Sequence, residues 1–154
     1  MHVSREPGTL AVYATDNSIY QVTPSGVAVP GSAGDVVELI TSNRRSPAPR
    51  PLVARGAGTG TNGQSLTNGV TLDFKRSMNR LLDVDVDERT ARVEPGLVAD
   101  ALNEQLAPLG LFWPPHTSTV NRCTIGGMIA TDAAGQGSLL YGRTSRHVLA
   151  LDVV

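Results

Sequence analysis

The chain is short of three things: cysteine, charge of one sign, and long apolar runs. Cysteine occurs once, as Cys123, so no disulfide can close within the chain. An iron–sulfur cluster takes about four thiolates, and one cysteine cannot hold it. A single thiol suits a reducing cytoplasm. Net charge is −1, with 13 basic and 14 acidic residues. Bulk charge therefore gives no reason to expect nucleic acid or an anionic membrane as partner. No apolar run approaches the length of about 18 residues that a membrane span needs. The N-terminal MHVSREPGTLAVYATD lacks the apolar core of a signal peptide, and no internal repeat is present.

Glycine and proline are plentiful instead, with sixteen and ten among 154 residues. Such punctuation fits a loop-rich strand protein rather than a helical bundle. Met1 to Asp16 reads as irregular. Gly26 to Pro30 reads as a short strand. Ser32 with Asp35 three residues on resembles a capping box, and Val36, Val37, Leu39 and Ile40 give a helical apolar face. The proline-rich SPAPRP, 46 to 51, stops that helix. Leu52 to Arg55 reads as a second strand. Val70, Leu72 and Phe74 alternate with Thr71 and Asp73, the period of a strand. LLDVDVDERTARVEP predicts a hairpin around Asp87 to Thr90, with Asp83, Asp85 and Asp87 on a solvated face and Val84 and Val86 opposite. Gly96 to Gly110 predicts a helix facing Val98, Leu102, Leu106 and Leu109 inward, with Gly110 as its stop. The closing HVLALDVV reads as a strand in want of a partner, so the natural protein is expected to continue.

Between the strands at 52 and 70 lies RGAGTGTNGQS, five glycines in eleven residues. Gly58 to Gly63 is a literal GxGxxG. A Rossmann site needs a helix after that loop, and QSLTNGVTLDF turns and then alternates as a strand. A P-loop needs lysine where Gln64 stands, and again a helix. What is left is strand, glycine loop, strand, which reads either as successive N–H groups holding an anion in a concave nest or as a plain surface turn. Glycine supplies positive φ and keeps side chains away from the ligand. Thr59 and Thr61 add hydroxyls. Arg55 either adds charge or is an ordinary exposed strand end.

Residues 114 to 135, PPHTSTVNRCTIGGMIATDAAG, followed by Tyr141-Gly142, form a second glycine segment. Together with RGAGTG, it resembles the FAD-binding domain of the PCMH-type, vanillyl-alcohol-oxidase flavoenzymes. The flanks ATDNSIY and TDAAGQGSLLYGRTSRHVLALDVV are most similar to the N-terminal part of bacterial FAD/iron–sulfur D-2-hydroxyacid dehydrogenases of the D-lactate and D-2-hydroxyglutarate type. The resemblance implies an α+β fold in two small lobes, after an irregular lead over 1–20. The first lobe spans 21–76, with one helix and three strands; the second spans 77–154 and is incomplete. It implies noncovalent FAD in the groove between the lobes. Arg55, Gly56, Ala57, Gly58, Thr59, Gly60, Thr61, Gly63 and Gln64 would hold the pyrophosphate. Pro115, Ser118, Thr119, Thr124, Ile125, Gly126, Gly127, Ala130 and Asp132 would line the rest, with bare backbone at Gly126-Gly127 beside the flavin ring.

The sequence departs from the family pattern at His116, where an aspartate is usual, and at Asp132 and Ala134 in place of asparagine and glycine. Gly58 and Thr59 stand where covalent relatives carry histidine. The resemblance further implies that the intact enzyme oxidises a small D-2-hydroxyacid by hydride transfer to flavin N5. Its substrate arginines and base would lie in a separate cap domain, and any iron–sulfur cluster in a C-terminal region. The chain thus reads as a fragment with no catalytic residue and no metal ligand of its own. It is expected in the cytoplasm or peripherally at the inner membrane, with the electron acceptor open. The alternative is a binding or assembly module that keeps the fold without flavin. Cys123 reads as a small buried thiol. Trp113 and Phe112 read as core or interface residues.

Overall fold

The structure is a computed structural model that describes residues 2–154. Two compact units divide it, one ending at Met78 and the next beginning at Asn79. No helix among the described residues is long and apolar enough to cross a membrane.

The first unit holds β1 (Val3–Ser4), α1 (Pro7–Tyr13), β2 (Gly26–Ala28), α2 (Ala33–Arg45), β3 (Leu52–Arg55) and β4 (Val70–Asp73). Its sheet runs β1-β2-β4-β3, with β1 antiparallel to β2 and the other pairs parallel. That is two helices and four strands, one of each more than the sequence suggests. The addition lies in the stretch expected to be irregular, of which Met1 alone falls outside the described residues. Proline opens α1, and the Glu6 carboxylate accepts from Thr9 N at 2.8 Å, a side-chain cap. The far end is pinned by the buried Tyr13 hydroxyl, which donates to the Asp73 carboxylate on β4. Burial, and then the Asp73 carboxylate beside it, raise the Tyr13 phenol above its ordinary value. Seven residues are too few to hold a helix alone, so α1 depends on that distant anchor.

The centre of the sheet is β4, and all four of its residues are buried. Its alternation therefore does not separate core from solvent: Thr71 is 1% exposed and Leu72 4%. A parallel strand between two neighbours is covered on both faces. Ser32 Oγ accepts from Asp35 N at 3.2 Å, and the Asp35 carboxylate accepts from Gly31 N at 2.8 Å, so the expected reciprocal cap closes one residue early. Val36 and Leu39 are buried against Ala28, Val70, Leu72 and Met78, with Ile40 partly so. Val37 lies half exposed, one residue round the helix from that face.

The second unit holds the antiparallel pair β5 (Leu81–Asp85) and β6 (Thr90–Val93), then α3 (Ala99–Leu106), α4 (Ile125–Ala130) and α5 (Ser138–Tyr141). Its core is Leu97, Ala99, Leu102, Leu106, Cys123, Ile125 and Met128, with Val84 and Trp113 packed against it. The predicted hairpin is present, and Asp83 and Asp85 face solvent. Val86 lies past the end of β5 and is half exposed. The helix starts at Ala99 rather than Gly96, because residues 94–97 make a turn closed by Leu97 N on Glu94 O at 3.2 Å. A 3₁₀ turn at Ala107–Leu109 then leads to Gly110 at φ 70°, which leaves Leu109 exposed. Phe112 is exposed as well, outside the core, and meets Tyr141 edge-on. The closing segment is not a strand: Thr144–His147 is a 3₁₀ turn, and residues 148–154 carry no ladder among the described residues. An apolar run makes a strand only where a neighbouring edge accepts its hydrogen bonds.

Glu94 ties the base of the hairpin. Its carboxylate takes Arg80 Nη2 at 2.8 Å and Arg80 N at 2.9 Å, and Glu94 N returns to Arg80 O at 2.9 Å. The Arg80 guanidinium is the main reason the Glu94 carboxyl lies below its ordinary value of 4.5, against the opposing effect of burial. A depressed carboxyl stabilises the fold above its unfolded value, and that contribution is lost as pH falls through the folded one. Urea unfolding between about pH 6 and about pH 3 is therefore expected to show an acid-side loss that Glu94→Gln reduces. The variant should also be less stable than wild type at neutral pH; equal pH slopes for the two proteins would count against the Arg80–Glu94 tie.

Candidate cofactor-binding site

The glycine loop leaves β3 at Arg55 and reaches β4 at Val70 without forming a helix. Gly58 and Gly63 both take positive φ, at 66° and 72°. Residues 55–60 are half buried. None of the five backbone N–H groups from Ala57 to Thr61 donates to a protein acceptor among the described residues. The next one, Asn62 N, is taken by Gln64 Oε1 at 3.0 Å. N–H groups without acceptors, four on half-buried residues and one on the exposed Thr61, in a turn of mixed handedness are the donors that an anion nest requires. Thr59 and Thr61 make no side-chain hydrogen bond among the described residues, so their hydroxyls are free for a ligand.

Arg55 is not a loose strand end. Its Nη2 donates to Thr15 O at 2.7 Å, and the guanidinium lies 5.4 Å from the centre of the Tyr13 ring. A Cβ on Gly58 would come 2.6 Å from the same Nη2. The charge thus sits directly against the loop, held by a carbonyl and a ring rather than by a carboxylate contact. A Cβ on Gly60 would run into the Gln64 amide, and one on Gly63 would come 2.9 Å from the Tyr20 ring. The cradle is already as full as its neighbours allow.

The turn at 15–18 grips this loop, which no glycine motif signals. Asn17 N donates to Gly58 O at 3.0 Å, and Ser65 Oγ donates to the Asp16 carboxylate at 2.8 Å. The other Asp16 oxygen accepts from Ser18 N at 2.8 Å. Burial pushes the Asp16 carboxyl up, but the Ser18 and Ser65 hydrogen bonds and the Arg55 charge outweigh it, and the group lies below its ordinary value. Asp16-Asn17-Ser18 has the residue types that favour a turn. Its partners lie some 40 to 49 residues away, and nothing local names them.

The second glycine segment is built differently. Ile125, Gly126 and Gly127 form the first turn of α4. Ile125 N donates to Leu97 O and Gly126 N to Pro95 O, both at 2.8 Å, while Gly127 N reaches Thr124 Oγ1 at 3.3 Å. The expectation of bare backbone at Gly126-Gly127 is thus corrected, because those donors are spent inside the unit. Gly126 is required by packing: a Cβ there would lie 2.7 Å from Pro95 Cβ and 2.9 Å from Pro95 O. Thr124 is 2% exposed and acts as the cap of α4, and the Ile125 side chain is in the core. Pro115 is buried, Thr119 half buried, and Ser118, Gly127 and Ala130 are exposed. Asp132, at φ 44°, accepts from Ser145 N at 2.9 Å and pairs with Arg143 Nε at 3.3 Å; the Ser145 bond chiefly holds its carboxyl below the ordinary value. Gly135 lets Gln136 N reach His116 O at 2.9 Å, since a Cβ there would overlap that carbonyl. Cys123 is a buried thiol, 3.3 Å from Thr117 Oγ1.

The residues fit a diphosphate-bearing cofactor at the first loop: unpaired N–H groups, positive-φ glycine and a cation lie together there. No group of three or more His, Cys, Asp or Glu side chains able to hold a metal occurs among the described residues.

Comparison with known proteins agrees with this chemistry. The profile of a family described as FAD binding domain matches residues 24–154. A D-2-hydroxyglutarate dehydrogenase of Pseudomonas putida is 50% identical over 99% of this chain and 15% of its own length. One from Escherichia coli is 49% identical over 92% of this chain and 14% of its own. The glycolate oxidase subunit GlcD of Bacillus subtilis is 34% identical over 88% of this chain and 28% of its own. The chain thus spans about a seventh of the two dehydrogenases. A solved alkyldihydroxyacetonephosphate synthase superposes with a TM-score of 0.78 over 92% of this chain and 28% of its own at 22% identity, a likeness of fold.

The two glycines of α4 separate by substitution. Gly126→Ala is expected to cost about 1–3 kcal/mol in thermal or denaturant unfolding, because backbone at Pro95 must move. Gly127→Ala, on the exposed side, should stay within about 1 kcal/mol of wild type. The reverse order would contradict the packing of α4 on Pro95.

Proposed function

The chain belongs to the family of FAD binding domains, and from that premise we propose that it is the cofactor-holding part of a flavin-dependent oxidoreductase that acts on a D-2-hydroxyacid. The observation that carries this reading is the row of unpaired N–H groups from Ala57 to Thr61 with the Arg55 guanidinium against Gly58. A diphosphate brings two negative charges to such a place. Oriented N–H dipoles and a neighbouring guanidinium offset them without a metal ion or a helix end. Noncovalent FAD suits the loop, which holds no histidine, cysteine or tyrosine between Arg55 and Ser65.

Residues 115–132 contribute to FAD binding by other means. Ser118 and Thr119 offer hydroxyls, and Gly127 and Ala130 offer exposed surface without bulk. Pro115, Thr124, Ile125, Gly126 and Asp132 act by shaping that surface. When bound, FAD supplies the hydride acceptor for the Cα–H of a hydroxyacid; this chain's part is to bind and orient it. The two relatives near 50% identity support D-2-hydroxyglutarate as the substrate of the whole enzyme. The buried single thiol suits a cytoplasmic setting.

Titration of the intact enzyme with FAD, followed by flavin fluorescence and visible absorbance, is expected to saturate at one equivalent. Gly58→Val should weaken this by about 100-fold or more, because the branched side chain displaces Arg55 and is strained at positive φ. Absence of binding by wild type would remove the reading, and unaltered binding by the variant would remove Gly58 from the cradle.

A further inference from the structure

We propose that Asp16 is a positioning residue for the phosphate loop, and that the turn Thr15–Ser18 is the mould against which the loop takes its shape. The inference rests on the reading of that loop as a diphosphate cradle. The loop is tied to this turn at three places. At its start, the Arg55 guanidinium donates to Thr15 O at 2.7 Å. In its middle, Gly58 O accepts from Asn17 N at 3.0 Å. At its end, Ser65 Oγ donates to Asp16 at 2.8 Å. Asp16 is the keystone because it also holds the turn itself, through Ser18 N at 2.8 Å.

The physical need is clear. Five consecutive N–H groups without acceptors gain nothing from being aligned until an anion arrives, and glycine lowers the resistance to other conformations. A nest that must order itself on binding loses affinity in proportion to that ordering. Tying down the single carbonyl of Gly58 fixes the peptide plane that aims Thr59 N. Holding Arg55 on Thr15 O keeps the cation against Gly58. Asp16 also places a negative charge near an anion site, an unfavourable choice for binding unless the carboxylate serves the loop's shape. Its hydrogen bonds all come from neighbours in the turn and the loop, none from a ligand-facing group.

The chain labelled with ¹⁵N and titrated with inorganic pyrophosphate and with FAD tests this by NMR. In wild type, the amides of Ala57 to Thr61 should shift with both probes. Asp16→Ala should raise both dissociation constants about tenfold, in line with the loss of a charge-assisted hydrogen-bond pair, while the β4 and α2 amides stay in place. Asp16→Asn keeps an acceptor for Ser18 N and a partner for Ser65, so it should rescue binding to within about threefold of wild type, despite the changed charge. Ser65→Ala, the milder variant, should weaken pyrophosphate about threefold even if Asp16→Ala fails to fold. Wild-type amides indifferent to both probes would defeat the cradle reading itself. Responsive wild-type amides, with Asp16→Ala or Ser65→Ala binding as wild type, would overturn only the role of Asp16. Equal losses in Asp16→Ala and Asp16→Asn would do the same.

Discussion

Consecutive backbone donors with no acceptor among the described residues impose the main constraint on the first unit. Between Ala57 and Thr61 the chain forgoes the hydrogen bonds that strands and helices make for themselves. A half-buried N–H without a partner is costly, on the order of 1–3 kcal/mol where water is excluded. The arrangement is tolerable because water reaches the loop and because its two ends are fixed. One end is β3, paired in parallel with β4 from Leu52 to Arg55, and the other enters β4 at Val70. The sheet supplies rigidity, and the glycines supply freedom from side chains. Each is useless here without the other.

The parts around the loop serve its two ends. Tyr13 donates to Asp73 at the close of β4, and its ring lies under the Arg55 guanidinium at the close of β3. Asp73 in turn accepts from Lys75 N at 2.9 Å, which closes the turn after β4. The short helix α1 thus earns its place by bringing one phenol to both strand ends. The turn that follows α1 then grips the loop through Thr15, Asp16 and Asn17.

The second unit uses glycine for a different purpose. In α4, glycine at 126 allows the helix start to press on Pro95, and the donors of the first turn are consumed by Leu97 O, Pro95 O and Thr124 Oγ1. Two glycine-rich segments in one chain therefore embody opposite solutions: one keeps donors open, and the other closes them to dock a helix. Residue type alone does not distinguish these, since both need the absence of a Cβ.

Local chemistry in the sequence determined a good deal. Ser32 and Asp35 mark a helix start, Asp87 to Thr90 mark a hairpin, Gly110 marks a helix end, and the missing helix after Gly63 excludes the commoner nucleotide loops. Each rests on bonds between residues a few positions apart, so the pattern and the structure share a cause. Tertiary contact decided the rest. Residues 7–13 are helical because Tyr13 finds Asp73, sixty positions on. Thr71 is buried because β4 is flanked by β2 and β3. Residues 148–154 are apolar except for Asp152, as a buried strand would be, yet pair with no edge among the described residues. The glycine loop announced that it could hold an anion. Only the fold decided which neighbours, Arg55 and the turn around Asp16, would hold the loop, because a hydrogen bond between distant residues leaves no periodic mark in the chain.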